Sequence, residues 1–324
     1  MTPFTRDQLD EAVNIVSAAM PPTPQYMWPL LAEAVGAEVW VKHENHTPTG
    51  AFKVRGGLVY MEHLRRDRPH VAGVISATRG NHGQSLAFAG RAKRVDVTIV
   101  VPLGNSPDKN AAMRAWGATL IEHGHDFQAA REFAQVHSME LGLEMVPSYH
   151  TDLAVGVATY ALELFTGAGE LDAVYVPVGM GSGICGMIGV RDLLGLRTEV
   201  IGVVAERAPA TALSFAAGRV VTTETADTFV DGVACRVPDS VATQIIVEGA
   251  ARIVQVSDEL CADAVRLLLR TTHNLPEPAG AIATAGAMIE RDRQWGKKIG
   301  VVMSGGNLDA SLMPALIGGS TPTA

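Results

Sequence analysis

The sequence predicts an α/β protein built from two open, parallel-sheet units that share a cleft. Three observations carry that expectation. Short runs rich in Val and Ile alternate with segments of helical periodicity along most of the chain. Glycine- or hydroxyl-rich turns follow several of those runs, where a strand hands over to a helix. The chain has 324 residues, 47% of them hydrophobic, which is ample for one or two large cores.

The elements follow in order. Asp7 to Met20 reads as an amphipathic helix, with Leu9, Val13, Val16 and Met20 on one side. Pro21 to Pro24 ends it and starts an extended crossing. A short helix from Pro29 to Val35 leads through Gly36 into a strand at Glu38 to Lys42. A third helix begins near Phe52 and runs to about Asp67, with Pro69 as its stop. Strands at Val71 to Ala77, Val95 to Val101, Thr119 to Ile121 and Leu143 to Pro147 then alternate with helices at Asn81 to Lys93, Pro107 to Trp116 and Phe127 to Leu141. After His150 the rhythm continues. The helix Leu153 to Phe165, the strand Ala173 to Val178, a helix to Leu194 and the strands Glu199 to Val204 and Ile253 to Val256 follow. Helices at Leu260 to His273 and Gly280 to Trp295 precede a last strand, Ile299 to Met303, and Gly318 to Ala324 reads as a frayed tail. A βαβα rhythm implies parallel strands covered by helices.

Composition excludes several classes. The net charge of -8 supplies no basic footprint, so no nucleic-acid partner is expected. Cys185, Cys235 and Cys261 are scattered and odd in number, which fits three small core residues rather than disulfides or a zinc site. No apolar run is long enough to span a membrane, and the N-terminus lacks a basic region followed by an apolar stretch. A soluble cytoplasmic protein is the expectation. His123, His125, His137 and His150 lack ligand spacing and read as surface or capping groups. Trp28, Trp40, Trp116 and Trp295 read as core or interface residues.

Four features carry chemistry. Lys53 sits in the first turn of a helix, beside Phe52 and among small residues. A helix start and burial both disfavour an ammonium, and a neutral amine is what Schiff-base chemistry needs. Alone, an ordinary surface lysine is the better reading. Val178-Gly179-Met180-Gly181-Ser182-Gly183 joins a strand to a helix and forms a phosphate cradle of backbone N–H groups. It lacks the Lys-Ser/Thr ending of a nucleoside triphosphate loop and does not match the dinucleotide fingerprint. Thr78-Arg79-Gly80-Asn81-His82 also follows a strand and opens a helix, so it suits an anion such as a substrate carboxylate; the plain alternative is a turn capped by Asn81 or Thr78. Ser304, after the last strand, offers a hydroxyl to a ring nitrogen. A nucleotide needs no Schiff-base lysine, whereas pyridoxal phosphate uses all four features.

Six stretches occur in one order. They are Thr49-Gly50-Ala51-Phe52-Lys53-Val54-Arg55-Gly56, Gly80-Asn81-His82-Gly83-Gln84, Gly179-Met180-Gly181-Ser182-Gly183, Asp231-Gly232-Val233-Ala234, Glu277-Pro278-Ala279-Gly280-Ala281 and Ser304-Gly305-Gly306-Asn307. The set resembles the serine/threonine dehydratase and serine racemase group of fold-type II (tryptophan-synthase-β-like) pyridoxal phosphate enzymes, over nearly the whole chain. The resemblance implies a cofactor in the cleft, held by a large domain (1–48 plus 151–324) and a small, mobile one (49–150). It implies that Lys53 is the Schiff-base lysine and the base for the Cα proton. Phe52 would pack beside the cofactor ring, Asn81 bond its phenolic oxygen and Gly179 to Gly183, with Met180 and Ser182, cradle the phosphate. Gly232 would line the ring and Ser304 face its nitrogen, while Thr78 to His82 grip the substrate carboxylate.

The implied reaction is dehydration and deamination of a β-hydroxy amino acid, threonine- or serine-like, to a 2-oxo acid and ammonia through an aminoacrylate. A hydroxyl at the ring nitrogen favours prompt loss of a β-leaving group. Three departures sharpen this. Arg79 stands where racemase-like members carry the serine acid of the second face, which weakens an amino acid racemase reading. Arg79 is instead expected to hold an acidic side chain, as in 3-hydroxyaspartate, with phenylserine as the bulky alternative. Relatives bind a divalent cation through two carboxylates and a carbonyl; Glu206 and the carbonyl of Ala210 match, but the second carboxylate is replaced by Ala212, so a complete site is not expected. The chain ends soon after Asn307, so a catabolic role without feedback control is expected. A homodimer is implied by resemblance alone. A β-replacement synthase, a nucleotide-binding oxidoreductase and an inactive ligand-binding protein are the competing readings.

Overall fold

The computed structural model describes residues 3–323. Helix α1 (Arg6–Ser17) starts at a capping box, in which the Thr5 hydroxyl accepts from the Gln8 amide while the Gln8 side chain accepts from the Thr5 amide. Strand β1 (Gln25–Met27), helix α2 (Pro29–Val35) and strand β2 (Glu38–His43) lead to α3 (Lys53–Asp67). Then come β3 (Gly73–Ala77), α4 (Asn81–Lys93), β4 (Asp96–Val101), α5 (Pro107–Ala115), β5 (Thr119–Glu122), α6 (Phe127–Leu141) and β6 (Glu144–Met145). The second half supplies α7 (Thr151–Ala168), β7 (Ala173–Pro177), α8 (Ser182–Leu193), β8 (Glu199–Ala205), α9 (Ala210–Ala217), α10 (Ser240–Gly249) and β9 (Arg252–Val256). It closes with α11 (Asp258–Thr272), α12 (Pro278–Ile289), α13 (Arg291–Gln294), β10 (Lys298–Met303) and α14 (Met313–Ile317).

Two sheets form. One runs β1-β2-β10-β7-β8-β9 and the other β5-β4-β3-β6. Every pairing is parallel except β1 with β2. Parallel strands must be buried on both faces, and β3 is buried at every position. The sheets are joined by one apolar core that reaches from Val97 and Ile99 through α3 and α7 to Val174 and Val200. Glycine makes the α3–α7 crossing tight. A Cβ on Gly56 would stand 2.6 Å from the Leu153 carbonyl oxygen, and one on Gly156 would stand 2.5 Å from that of Arg55.

The structure departs from expectation at several elements. The crossing after Pro24 contains β1, and α9, α10 and α14 had no counterpart in the sequence reading. The α10 start had a readable signal, since the Asp239 carboxylate caps the amides of Val241 and Ala242. The expected single helix to Trp295 breaks at Glu290, whose carboxylate takes the guanidinium of Arg252 and the hydroxyl of Tyr175. Trp295 is 69% exposed rather than core. His150 caps α7, while His123 and His137 stack on Phe133. The tail is not free throughout, because Arg266 donates to the Ser320 carbonyl. Among the described residues no helix is long and apolar enough to cross a membrane.

Candidate active site

The loops after β3, β7 and β10 converge on one cavity, together with the start of α3. That is the C-terminal end of the strands, where open α/β sheets leave room for a ligand.

Lys53 is the first residue of α3, with Phe52 as its cap. The stretch before it is stapled to the loop after β10. The Phe52 amide donates to the Ser304 carbonyl at 3.0 Å, the Gly306 amide to the Gly50 carbonyl at 2.9 Å, and Asn307 Nδ2 to the Thr49 carbonyl at 2.8 Å. Gly50 holds φ at 71°, and a Cβ there would meet Asn307 Oδ1 at 2.5 Å. Ser85 Oγ donates to the Lys53 carbonyl at 2.6 Å. Lys53 Nζ lies 4.7 Å from the centroid of the Phe52 ring. Burial holds the Lys53 amine below its ordinary value, against the opposing charge of Glu277.

Two residues on, Arg55 anchors the same helix. Its guanidinium is fully buried and forks onto two carboxylates: Glu44 at 2.8 and 3.0 Å, and Glu163 at 2.7 and 2.8 Å. Lys42 Nζ completes the cluster at 2.6 Å from Glu163. The sequence reading passed over these four residues. Charged side chains inside a strand and a helix of otherwise apolar surroundings were the available signal.

The glycine loop fits a phosphate. Gly181 caps α8 with φ at 100°, and the Ser182, Gly183 and Ile184 amides lead the helix, where no intrahelical acceptor exists. Neighbouring groups pack too closely on the loop to admit side chains at two of its glycines. A Cβ on Gly179 would lie 2.5 Å from the Gly232 carbonyl oxygen, and one on Gly181 would lie 2.8 Å from Ala242 Cβ.

The loop after β3 enters α4 through Gly80, with no side-chain cap. Of the two expected caps, Thr78 closes the turn itself and Asn81 is engaged elsewhere. Thr78 Oγ1 accepts from the Gly80 amide at 3.0 Å, and Asn81 donates to Glu277 at 2.6 Å and accepts from Asn307 at 2.8 Å. His82 lines the cavity with Nε2 buried and unpartnered. Burial, and then the neighbouring Lys53, push its imidazole down to about 3. Glu277 is buried, and burial raises its carboxyl above the usual range. Ser304 Oγ donates to the Ala279 carbonyl at 3.1 Å and also faces the cavity.

Arg79 differs most from expectation. Its guanidinium is paired across the cleft with Asp231. Lys109 Nζ stands 3.2 Å from the same Asp231 and 3.1 Å from Asp309. Lys109, Asp231 and Glu277 line the cavity beside Phe52, Lys53, Thr78 to His82, Gly179 to Gly183, Gly232 and Ser304. The sequence reading assigned no role to these three. Glu206 and Ala210 lie outside the cavity, Glu206 exposed and Ala210 opening α9. Among the described residues no three His, Cys, Asp or Glu side chains converge as a metal site.

Comparison with known proteins agrees with this geometry. The family described as "Pyridoxal-phosphate dependent enzyme" matches residues 16–305. The L-threo-3-hydroxyaspartate ammonia-lyase of Saccharomyces cerevisiae is 31% identical over 320 residues, covering 98% of each chain. The L-threonine ammonia-lyase of Thermotoga maritima is 31% identical over 97% of this chain and 78% of its own. The serine racemase of Schizosaccharomyces pombe is 31% identical over 84% of both. Among solved structures, the processed threonine deaminase isoform 2 of Solanum lycopersicum superposes with a TM-score of 0.88 at 27% identity, over 98% of this chain and 95% of that one.

Proposed function

This chain belongs to the pyridoxal-phosphate dependent enzyme family, and from that premise we propose that it dehydrates and deaminates a β-hydroxy amino acid to a 2-oxo acid and ammonia. Water leaves from Cα and Cβ, and hydrolysis returns one water, so the net loss is ammonia. Relatives named as ammonia-lyases for L-threonine and L-threo-3-hydroxyaspartate support the reaction class. The observation that carries it is the desolvated Lys53 amine in a cavity that the glycine-rich helix start Gly179 to Gly183 also lines.

Pyridoxal phosphate, when bound, supplies an electron sink for the charge left at Cα. Residues Ser182 to Ile184 would hold its phosphate through their amides, Phe52 would flank the ring and Ser304 would face the ring nitrogen. Lys53 Nζ, whose ammonium form burial disfavours, is the atom that takes the Cα proton. The amides at the start of α4 orient the substrate carboxylate. The pairs Arg79–Asp231, Lys109–Asp309 and Asn81–Glu277 link the two sheets' loops across the cleft. A racemase needs a second acid on the opposite face, and a guanidinium at position 79 does not release its proton.

The test is direct. The purified protein should carry a cofactor absorbance near the visible edge, lost on borohydride treatment, and should release 2-oxo acid and ammonium in equal amounts from at least one β-hydroxy amino acid. Lys53→Ala should abolish release by at least about a thousandfold. Racemised substrate with no 2-oxo acid would reject the proposal.

A further inference from the structure

The catalytic cavity does not end at the cofactor loops. Arg79, Phe127, Met180, Ala234 and Cys235 border both it and a second cavity of about 290 Å³. Phe127, Met180, Ala234 and Cys235 make the neck between them apolar. The outer cavity carries three guanidinium groups. Arg79 is committed to Asp231. Arg236 is committed to Asp126, at 3.1 Å, and to the Glu224 carbonyl at 2.7 Å. Arg131, half-buried on α6, has neither an ion pair nor a hydrogen bond among the described residues.

The carboxylates nearby do not answer it. Asp126 serves Arg236 and caps α6 through the Ala129 amide, and Asp227 pairs with Arg207. Glu224 stands at the exposed outer wall. A half-buried guanidinium with five unused donors is a site in waiting, because a carboxylate offers it two parallel N–H···O bonds. We propose that this second cavity seats the substrate's side chain and that Arg131 reads an anionic group at its end. The preferred substrates are then β-hydroxy amino acids whose side chain carries a carboxylate. The inference rests on the ammonia-lyase reading and moves side-chain recognition from Arg79 to Arg131.

The experiment compares kcat/KM for 3-hydroxyaspartate, 3-hydroxyglutamate, phenylserine and threonine in wild type and in Arg131→Gln. The wild type should favour a dicarboxylic substrate, and the ratio of its kcat/KM to that of threonine should fall at least about tenfold in the variant, the loss of one charge-assisted contact. A wild type that prefers phenylserine or threonine, or a ratio that stays put, overturns the proposal. Calorimetric titration of both holoenzymes with succinate needs no turnover. Binding weakened about tenfold in Arg131→Gln, and partly restored in Arg131→Lys, supports the site, whereas equal affinity overturns it. Succinate held through Arg131 by a protein that turns over no hydroxy amino acid would sink the ammonia-lyase reading alone.

Discussion

Replacing Arg55 with methionine tests how the lysine-bearing helix is held. The change keeps the side chain's bulk and removes one buried positive charge. It deletes four N–H···O contacts of 2.7–3.0 Å to Glu44 and Glu163. Glu44 is then left buried with the Thr23 hydroxyl at 2.6 Å, and Glu163 with Lys42 at 2.6 Å. Breaking a buried pair from one side costs about 3–5 kcal/mol, because the stranded charge keeps its desolvation penalty. At about 2–4 °C per kcal/mol for a large domain, the Tm should drop by roughly 6–20 °C. Calorimetry of the cofactor-free protein measures this. The double variant Arg55→Met, Glu44→Gln should regain part of the loss, since the stranded charge is gone. Acid adds a signature. Burial alone would raise the Glu163 carboxyl, but the hydrogen bonds and charge of Arg55, with Lys42, hold it below the usual carboxylate range. Its folded value therefore lies below the unfolded one, near 4.3. The stabilisation is full above that pH and fades as pH falls through the folded value. The gap between variant and wild type should narrow in acid. A Tm loss under about 2 °C, or no recovery in the double variant, refutes the view that this charge cluster anchors α3.

Two further outcomes follow from the same geometry. Lys53→Met should raise the Tm of the cofactor-free protein by a few degrees; the wild-type amine titrates lower folded than unfolded, near 10.4, so the gain should grow as pH falls below that value, and an unchanged or lower Tm rejects the desolvation account. Gly179→Ala, whose Cβ would stand 2.5 Å from the Gly232 carbonyl, should weaken pyridoxal phosphate binding at least about tenfold in a fluorescence titration; unchanged affinity would show that the loop yields and is no tight cradle.

Much of the fold was legible because its signals are local. The spacing of apolar residues and the turn chemistry placed α4 and α6 to the residue, and put Lys53 at a helix start. Apart from the Asp239 cap of α10, what escaped has little local signal. α9, Ala-Thr-Ala-Leu-Ser-Phe-Ala-Ala, has no polar face to set a period. Arg55 and Glu163 meet across 108 positions, and Asn81 and Asn307 across 226. A one-dimensional pattern identifies a charged side chain but not the group it meets in the fold.

Arg79 and Arg131 make that point in chemical terms. Arg79 drew attention because it sits between a strand and a helix start, in a loop built for an anion. Its free energy of charge pairing is already taken up by Asp231, so a substrate carboxylate there would have to displace an existing partner. Arg131 sits on the second turn of α6 in a run that reads as an ordinary amphipathic helix. It gains meaning only once the fold shows that the nearby Asp126 and Asp227 are engaged and that an apolar neck connects it to Lys53. Two arginines of one residue type thus have opposite prospects. The cation that is structurally satisfied can hold the cleft together, and the one left wanting a partner can choose the substrate.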